Sequence, residues 1–122
     1  MANKKILVVE DEVMLAELMK ERLEFEGFEI LIAQNGKEGL LKAMSEKPAL
    51  ILADLMMPEM DGYEMIRIIR SSSDLNKIPI IVVSARGSND DIEKATGEGA
   101  TDYLVKPFSY TVLLKKIRDY LK

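Results

Sequence analysis

The sequence predicts an α/β fold in which a parallel sheet is covered by helices on both faces. Five short runs rich in β-branched and apolar residues alternate with longer segments of helical periodicity, which is the pattern of repeated strand–helix units. Three of the runs are apolar throughout, as expected for strands that are buried on both faces. We therefore expect a doubly wound sheet of five parallel strands.

The five predicted strands differ in how strictly apolar they are. The runs 6–9, 50–52 and 80–83 carry only apolar side chains, whereas the run 28–33 alternates in part between apolar and polar residues. Alternation is typical of a strand that exposes one face, so we predict that the first three are central and that the run 28–33 lies nearer an edge. In chain order, the predicted strands are residues 6–9, 28–33, 49–53, 78–83 and 102–105.

Helical periodicity is clearest between the first two strands. In residues 13–26, one helical face carries Leu15, Leu18, Met19 and Leu23, and we expect this face to pack on the sheet. Turn residues mark the remaining boundaries: Gly27 follows the first helix, Asn35 and Gly36 open the second, Pro48 precedes the third strand, Pro79 enters the fourth, and Gly97 and Gly99 close the fourth helix.

Length and composition indicate one globular domain over residues 1–122. The chain is 48% hydrophobic, which is enough for a substantial core. Its start has no signal-peptide pattern and no apolar run is long enough to span a bilayer, so we expect a cytoplasmic protein without membrane contact. The formal net charge of −4 argues against nucleic-acid binding by this domain, because neutralising phosphates needs clustered Lys and Arg.

The chain contains neither Cys nor His. The absence of Cys excludes disulfides, Fe–S clusters and thiolate metal sites, and the absence of His excludes imidazole ligands and His-dependent catalytic triads. Any chemistry must therefore use carboxylates, hydroxyls, Lys or a bound cation.

Polar side chains stand where the predicted strands end. Glu10 and Asp11 follow the first strand, Asp54 follows the third, Ser84 follows the fourth, and Lys106 follows the fifth. The carboxyl ends of parallel strands lie side by side, and open α/β sheets bind their ligands there. We therefore expect these residues to converge on one small polar site.

The acidic residues in this set indicate a cation site. Glu10 and Asp11 stand where nucleotide-binding folds place glycines, and they would repel a phosphate, which makes a Rossmann or P-loop site unfavourable. If Asp54 came within about 5 Å of one of them, the repulsion would be roughly 3 kcal/mol at an effective dielectric constant near 20. A divalent cation such as Mg²⁺ would offset it, or one carboxylate would hold a proton through a raised pKa. With Lys106 and Ser84 holding phosphoryl oxygens, the set predicts phosphoryl transfer to a carboxylate.

Each residue also has an ordinary structural explanation. Asp11 could cap the first helix, Lys106 could be a loop cation beside Pro107, and Tyr103 on the last strand could be a half-buried packing residue. The joint occurrence of the polar residues at successive strand ends favours the functional interpretation.

Four ordered segments point to one family. They are VVEDE at 8–12, LADLMMP at 52–58 with MDG at 60–62, VSA at 83–85, and GATDYLVKPF at 99–108. In sequence and spacing they resemble the acidic pair, the phosphoacceptor segment, the hydroxyl position and the lysine–proline turn of the receiver domain of two-component response regulators. The resemblance covers the whole chain and implies the flavodoxin-like (βα)5 fold with strand order 2-1-3-4-5.

The resemblance also implies residue roles. Asp54 would accept a phosphoryl group, forming 4-aspartylphosphate, from a sensor histidine kinase or a histidine phosphotransfer protein. Mg²⁺, with Mn²⁺ as a possible substitute, would be bound by Glu10, Asp11, Asp54 and the backbone carbonyl of Met56. Lys106 would pair with the phosphoryl oxygens.

A switch is implied as well. Ser84 would move to bond a phosphoryl oxygen, and Tyr103 would swing into the vacated space. This would change the face made by the fourth helix, fifth strand and fifth helix for a downstream target or effector domain. Many family members have Asp at the position of Glu10 and Thr at that of Ser84, and both replacements keep the needed chemistry. We expect no enzymatic activity beyond slow self-dephosphorylation.

Two other functions remain open. A phosphorylation-independent interaction module would keep the fold while losing site residues, and none is missing. A phosphatase of the haloacid dehalogenase type would need a second acid two residues after Asp54, where this chain has Met56. In the receiver family, the positions of Met56 and Arg86 modulate phosphoryl loss, and we hypothesise that Met56 shields the acyl phosphate from water.

Two apolar surfaces are candidates for partner contacts. Val13 and Met14 lie off the apolar face of the first helix, near the position where kinases dock in this family, although Met residues are equally good core filler. The last helix has more apolar positions than one buried stripe requires. They are Val112, Leu113, Ile117, Tyr120 and Leu121. We expect either a regulator of one domain or a receiver that belongs to a larger protein.

Overall fold

The computed structural model describes residues 4–122, in which strands and helices alternate along the chain. Residues 1–3, which belong to the predicted domain and to the start searched for a signal peptide, lie outside the described part. The elements are β1 (Lys5–Val9), α1 (Val13–Phe25), β2 (Glu29–Ala33), α2 (Gly36–Glu46), β3 (Leu50–Ala53), α3 (Gly62–Ser71), β4 (Ile80–Ser84), α4 (Asn89–Glu98), β5 (Asp102–Val105) and α5 (Tyr110–Tyr120).

The strands form one parallel sheet with the order β2-β1-β3-β4-β5. The predicted flavodoxin-like, doubly wound fold is therefore confirmed. The buried strands β1, β3 and β4 are interior, and β2 is at an edge, as their apolar patterns predict. Among the helices of residues 4–122, none combines the length and apolarity needed to span a lipid bilayer.

The fourth strand starts two residues later than predicted. Ile78 is held in the preceding turn, where its amide donates to the Leu75 carbonyl at 3.1 Å. Pro79 has no amide hydrogen, and its carbonyl accepts from Ile51 on β3 at 2.9 Å. Regular pairing on β4 therefore begins at Ile80.

Helices cover both faces of the sheet and bury two apolar layers. Helices α1 and α5 pack on one face, whereas α2, α3 and α4 pack on the other. Alternate strand residues point into the two layers, which explains why the central strands are apolar throughout. The first layer includes Val8, Leu52, Met19, Leu23, Leu113 and Ile117. The second includes Val9, Ala53, Ala43, Met65, Ile66 and Ala95.

The buried face of α1 differs in one position from the prediction. Met19 and Leu23 are buried together with Ala16, whereas Leu18 is 47% exposed. Leu18 is about 100° from Met19 around the helix, and it lines a groove beside Phe108. The prediction that Leu18 packs on the sheet is therefore wrong.

The helix ends correct two further expectations. Asn35 caps α2 as predicted, since its side chain accepts from the third helical amide at 2.8 Å. Gly97 lies inside α4, and the helix ends instead at Gly99, whose φ is 118°. The N-cap of α1 is Glu12, without a side-chain cap hydrogen bond, so the alternative that Asp11 caps this helix is wrong.

Candidate functional site

The carboxyl ends of β1, β3, β4 and β5 bring the predicted site residues together. Asp54 donates its amide to the Val9 carbonyl at 3.0 Å, and Lys106 donates its amide to the Ser84 carbonyl at 2.8 Å. Each of these residues directly follows a strand and is fixed by the backbone of the neighbouring strand. The carboxyl end of the sheet thus holds their side chains in fixed positions.

Lys106 bridges two buried carboxylates. Its Nζ donates to Glu10 Oε1 at 2.7 Å and to Asp54 Oδ2 at 3.0 Å. Glu10 is 3% exposed and Asp54 is 9% exposed. A cation belonging to the chain therefore offsets part of the repulsion for which the sequence suggested a metal ion or a proton.

The charges of this bridge affect the pKa values of its members. Burial lowers the pKa of Lys106, but the hydrogen bonds to Glu10 and Asp54 and the charges of both groups outweigh burial and raise it. Burial raises the pKa of Glu10, and the hydrogen bonds from Lys106 and from the Glu12 amide counter this only in part. Lys106 therefore stays charged, whereas burial disfavours the charge of Glu10.

The acidic cluster fits a hard divalent cation. Glu10, Asp11 and Asp54 each offer a carboxylate oxygen, and these oxygens lie within 4.8 Å of one another. Asp11 is exposed, so the cluster is open to solvent on one side. Oxygen ligands on one side and room for water on the other are what Mg²⁺ requires.

The Asp54 carboxylate is held at both oxygens. Oδ1 accepts from the amides of Leu55 at 2.7 Å and Met56 at 3.4 Å, while Oδ2 faces Lys106. The start of α3 packs against the same segment, and the Gly62 amide donates to the Leu55 carbonyl at 2.9 Å. A Cβ atom at position 62 would lie 2.2 Å from the Asp54 carbonyl oxygen. Gly62 is thus required by this close approach, which its turn-like sequence context did not reveal.

The predicted switch residues Ser84 and Tyr103 meet at the backbone of Arg86. Ser84 is 1% exposed, and its Oγ accepts from the Arg86 amide at 3.2 Å. Tyr103 is half-buried, and its hydroxyl donates to the Arg86 carbonyl. Burial raises the pKa of Tyr103, so its hydroxyl keeps the proton that it donates.

Arg86 also connects the site to α4, which the sequence analysis missed. Its Nε donates to Asp91 Oδ1 at 3.1 Å, and its Nη1 lies 3.5 Å from Met56 Sδ. The sequence singled out Arg86 and Met56 only by their positions relative to Ser84 and Asp54. A basic residue followed five residues later by an acid in the first turn of a helix was the available signal.

Arg70 is a second residue whose role emerges from the structure. Its guanidinium donates to the carbonyls of Gly99 at 2.8 Å, Asn76 at 3.1 Å and Ile78 at 2.7 Å. It also donates to the Thr101 hydroxyl at 3.2 Å. It therefore ties the end of α3 to the segments that precede β4 and β5.

The two candidate apolar surfaces are exposed to different degrees. Met14 on α1 is 83% exposed, and Val13 is 56% exposed. On α5, Leu113 and Ile117 are buried, and Val112 is 44% exposed. Val13, Met14 and Val112 are therefore exposed apolar positions, whereas Leu121 packs against the core.

Comparisons with known proteins agree on one family. Residues 6–118 match the family model of the response regulator receiver domain. The response regulator ArlR of Staphylococcus saprophyticus is 42% identical over 118 residues, which are 97% of this chain and 52% of that protein. The chain spans about half the length of the curated relatives that it matches.

Solved structures with the same fold are also similar in sequence. The chemotaxis protein CheY4 of Vibrio cholerae superposes with a TM-score of 0.92 and 32% identity, over 98% of this chain and 100% of that chain. The receiver domain of the sensor histidine kinase PA1611 of Pseudomonas aeruginosa, with a magnesium ion coordinated in its active-site cleft, gives a TM-score of 0.91 and 28% identity. The match covers 98% of both chains.

Proposed function

Because the chain belongs to the response regulator receiver domain family, we propose that it is the phosphoacceptor domain of a two-component phosphorelay, with Asp54 as the acceptor. One observation carries the proposal. The buried Asp54 carboxylate is held between Lys106 and two backbone amides, with two further carboxylates within 4.8 Å. Receiver domains of response regulators interact with histidine kinases, and we propose that the phosphodonor is such a kinase or a histidine phosphotransfer protein.

The donor set supports Mg²⁺ as the cofactor, with Mn²⁺ as a possible substitute. The receiver domain of PA1611 has a magnesium ion in its active-site cleft. Here Glu10, Asp11, Asp54 and the backbone carbonyl of Met56 would hold the ion. When bound, the ion supplies positive charge that neutralises the transferred group and leaves positions for its oxygens.

In the proposed reaction, an Asp54 carboxylate oxygen attacks the phosphorus atom of the donor phosphohistidine. The new O–P bond forms as the P–N bond breaks, and the electron pair leaves with the donor imidazole. The carboxylate is already oriented by the Leu55 amide at 2.7 Å and by Lys106 at 3.0 Å. Lys106 Nζ then donates to a phosphoryl oxygen in place of the Asp54 carboxylate oxygen. Its ammonium group needs to move only a short distance for this change of partner.

The phosphoryl group would then act on the switch residues. We propose that the Ser84 hydroxyl turns to donate to a phosphoryl oxygen and thereby gives up the hydrogen bond from the Arg86 amide. The Tyr103 ring follows into the space beside it. The face formed by α4, β5 and α5 changes, and a downstream protein or effector domain reads the change. In this scheme residues 1–122 are a single receiver domain and not an enzyme.

Met56 is proposed to lengthen the life of the acyl phosphate by shielding it from water. The Met56→Asn variant places an amide there that can orient a water molecule, and we expect faster loss of the phosphoryl group from isolated phosphorylated protein. Met44→Asn is the matched control, because Met44 is 55% exposed, close to the 53% of Met56, but lies on α2. Equal dephosphorylation rates in the two variants would contradict the shielding role.

Intact-protein mass spectrometry tests the proposed function directly. The protein and its Asp54→Asn variant are incubated with acetyl phosphate, with and without Mg²⁺. We expect one phosphoryl adduct that needs Mg²⁺, survives acid, is lost in base and is absent from the variant. No adduct with acetyl phosphate or with a phosphorylated histidine donor would refute the proposal in favour of a phosphorylation-independent interaction module.

A further inference from the structure

The backbone of Arg86 is fixed at the rim of the site. Its amide donates to the hydroxyl of the buried Ser84 at 3.2 Å, and its carbonyl accepts from the hydroxyl of Tyr103. Both ends of the residue are therefore attached to the predicted switch pair. The side chain is the part that remains able to move, and it is 51% exposed.

The guanidinium of Arg86 extends from the site to α4. Its Nε bonds Asp91 at 3.1 Å, and its Nη1 lies 3.5 Å from the sulfur of Met56, whose own amide contacts Asp54 Oδ1 at 3.4 Å. Within residues 4–122, Asp91 is its anionic partner. A thioether is a weak acceptor, and most of the five N–H donors of arginine are not used in these contacts. The group can therefore form stronger bonds elsewhere.

Asp91 keeps one of its hydrogen bonds when Arg86 leaves. Its Oδ2 accepts from the Ser88 hydroxyl at 2.7 Å. It lies in the first turn of α4, where the backbone dipole favours a negative charge. When the Arg86 side chain leaves, the Asp91 carboxylate therefore keeps the Ser88 hydrogen bond and the favourable interaction with the helix dipole.

Phosphorylation would change the balance of charge beside Arg86. It replaces the single negative charge of the Asp54 carboxylate by a phosphoryl group with a charge of about −1.5 to −2. This added negative charge is present whichever cation is bound at the site. Lys106 already contacts two carboxylates in the unphosphorylated site. A phosphoryl group offers the planar guanidinium two parallel hydrogen bonds, which are stronger than a partly exposed, single-point pair with a carboxylate.

We propose that Arg86 is a second phosphoryl-binding cation, which Asp91 holds in reserve until Asp54 is phosphorylated. The Arg86–Asp91 ion pair is then a latch that opens when the guanidinium moves to the phosphoryl group. Opening removes a tether between the first turn of α4 and the segment after β4. This inference rests on the proposed function of Asp54 and adds the route by which its charge reaches α4.

The test uses the whole chain, labelled with ¹⁵N and phosphorylated with acetyl phosphate and Mg²⁺, after mass spectrometry has established the adduct. Two signals are followed: the Nε–H resonance of Arg86, assigned with Arg86→Lys, and hydrogen exchange of the amides of Asp91 and Ile92, which donate to Ser88 at 3.1 Å. We expect the resonance to shift on phosphorylation. Exchange should accelerate by about 1.4- to fivefold, the range that the loss of one exposed ion pair allows.

The Asp91→Asn variant separates the latch from other changes. Asn keeps one oxygen for Ser88 but loses the charge, so exchange of the amides of residues 91 and 92 should be fast before phosphorylation and should not increase further after it. Arg67→Gln is the matched control, because the Arg67–Glu98 pair, at 2.6 Å, joins the other end of α4. This variant should keep the full phosphorylation-dependent increase.

The outcomes distinguish this inference from the function on which it rests. An adduct with an unchanged Arg86 resonance, or an Asp91→Asn variant that still shows the full increase, would overturn the latch while leaving the phosphoacceptor role intact. The absence of any adduct on Asp54 would overturn both.

Discussion

Replacing Asp11 by Asn is expected to stabilise the metal-free protein and to remove most of its response to Mg²⁺. The Asp11 carboxylate is exposed and lies within 4.8 Å of the carboxylates of Glu10 and Asp54. Lys106 pairs with those two carboxylates, and within residues 4–122 Asp11 has no ion pair of its own. Neutralising Asp11 therefore removes repulsion without breaking an ion pair.

The size of the effect follows from the separation. Two unit charges 4.8 Å apart repel by about 0.9 kcal/mol at the dielectric constant of water and by about 3.5 kcal/mol at an effective value of 20. Because Asp11 is exposed, the lower figure applies, and two such repulsions amount to about 2 kcal/mol at low salt. Loss of a negative charge just before α1 costs roughly 0.3 to 1 kcal/mol. We expect a net gain of about 1 kcal/mol in the free energy of unfolding.

Urea unfolding at constant ionic strength, with and without MgCl₂, measures both parts of this prediction. At an Mg²⁺ concentration tenfold above Kd, the natural sequence should gain about 1.4 kcal/mol, whereas Asp11→Asn should gain far less. Glu12→Gln is the control, since it removes one negative charge at the same end of α1 but outside the acidic cluster. It should show no gain without metal and the full response to Mg²⁺.

Two results would refute this reasoning. One is an Asp11→Asn variant that is no more stable than the natural sequence without metal, because the cluster would then carry no repulsion to relieve. The other is an Mg²⁺ response equal to that of the natural sequence, because Asp11 would then not be a ligand.

Four further predictions concern stability, measured by urea unfolding. Gly62→Ala should lower the free energy of unfolding by about 3 kcal/mol through its backbone clash and should slow phosphorylation of Asp54. Gly97→Ala, with nothing within 4 Å of the new Cβ, should raise it by about 0.5 to 1 kcal/mol. Arg70→Met should lower it by about 2 to 4 kcal/mol, because several carbonyls lose their donor. Asp102→Asn should be destabilising at neutral pH, with a difference that shrinks below about pH 4.

The pH dependence of the last variant follows from the direction of the pKa shift. Burial raises the pKa of Asp102, but the hydrogen bonds from Lys116, the Tyr103 amide and the Tyr120 hydroxyl outweigh burial and lower it. A carboxyl with a lowered folded pKa stabilises above its unfolded pKa of about 3.9 and loses this contribution as the pH falls through the folded value. The stability difference should therefore be constant above about pH 5.

Each of these predictions has an outcome that contradicts it. Equal stability of the two glycine variants would show that space around Cβ does not govern these positions. If Arg70→Met lowers the free energy of unfolding by less than about 0.5 kcal/mol, the usual limit for surface substitutions, water replaces the guanidinium as the hydrogen-bond donor. A stability difference for Asp102→Asn that persists unchanged to pH 2.5 would show that the charge of Asp102 is not what stabilises the fold.

Local patterns predicted most of the fold. Uninterrupted apolar runs identified β1, β3 and β4 as central, because a strand covered by helices on both sides buries the side chains of both its faces. The error at Leu18 has a physical cause as well. Apolar spacing defines a face of a helix only within about one residue, and packing against the sheet selects Ala16, Met19 and Leu23 as the buried positions.

The sequence predicted which residues lie together at the candidate site, because they stand at strand ends, but not which of them are in contact. A parallel sheet must bring such ends together, so Glu10, Asp54 and Lys106 could be grouped before any distance was known. Lys106 is 96 positions from Glu10 and 52 positions from Asp54 in the chain. Its direct contact with both carboxylates depends on where the folded chain places these side chains. No local pattern carries that information.

The sequence by itself determined the secondary structure, the central strands and the chemistry available at the site, because these depend on residue type and on periodicity along the chain. Only the tertiary structure decided which polar groups pair: Lys106 with two carboxylates, Arg86 with Asp91, and Gly62 with the backbone of Asp54. The Lys106 bridge depends on distances between segments that are remote in sequence, and the other two contacts depend on how the segments after β3 and β4 approach α3 and α4. Such distances are fixed by how the helices and the sheet pack together.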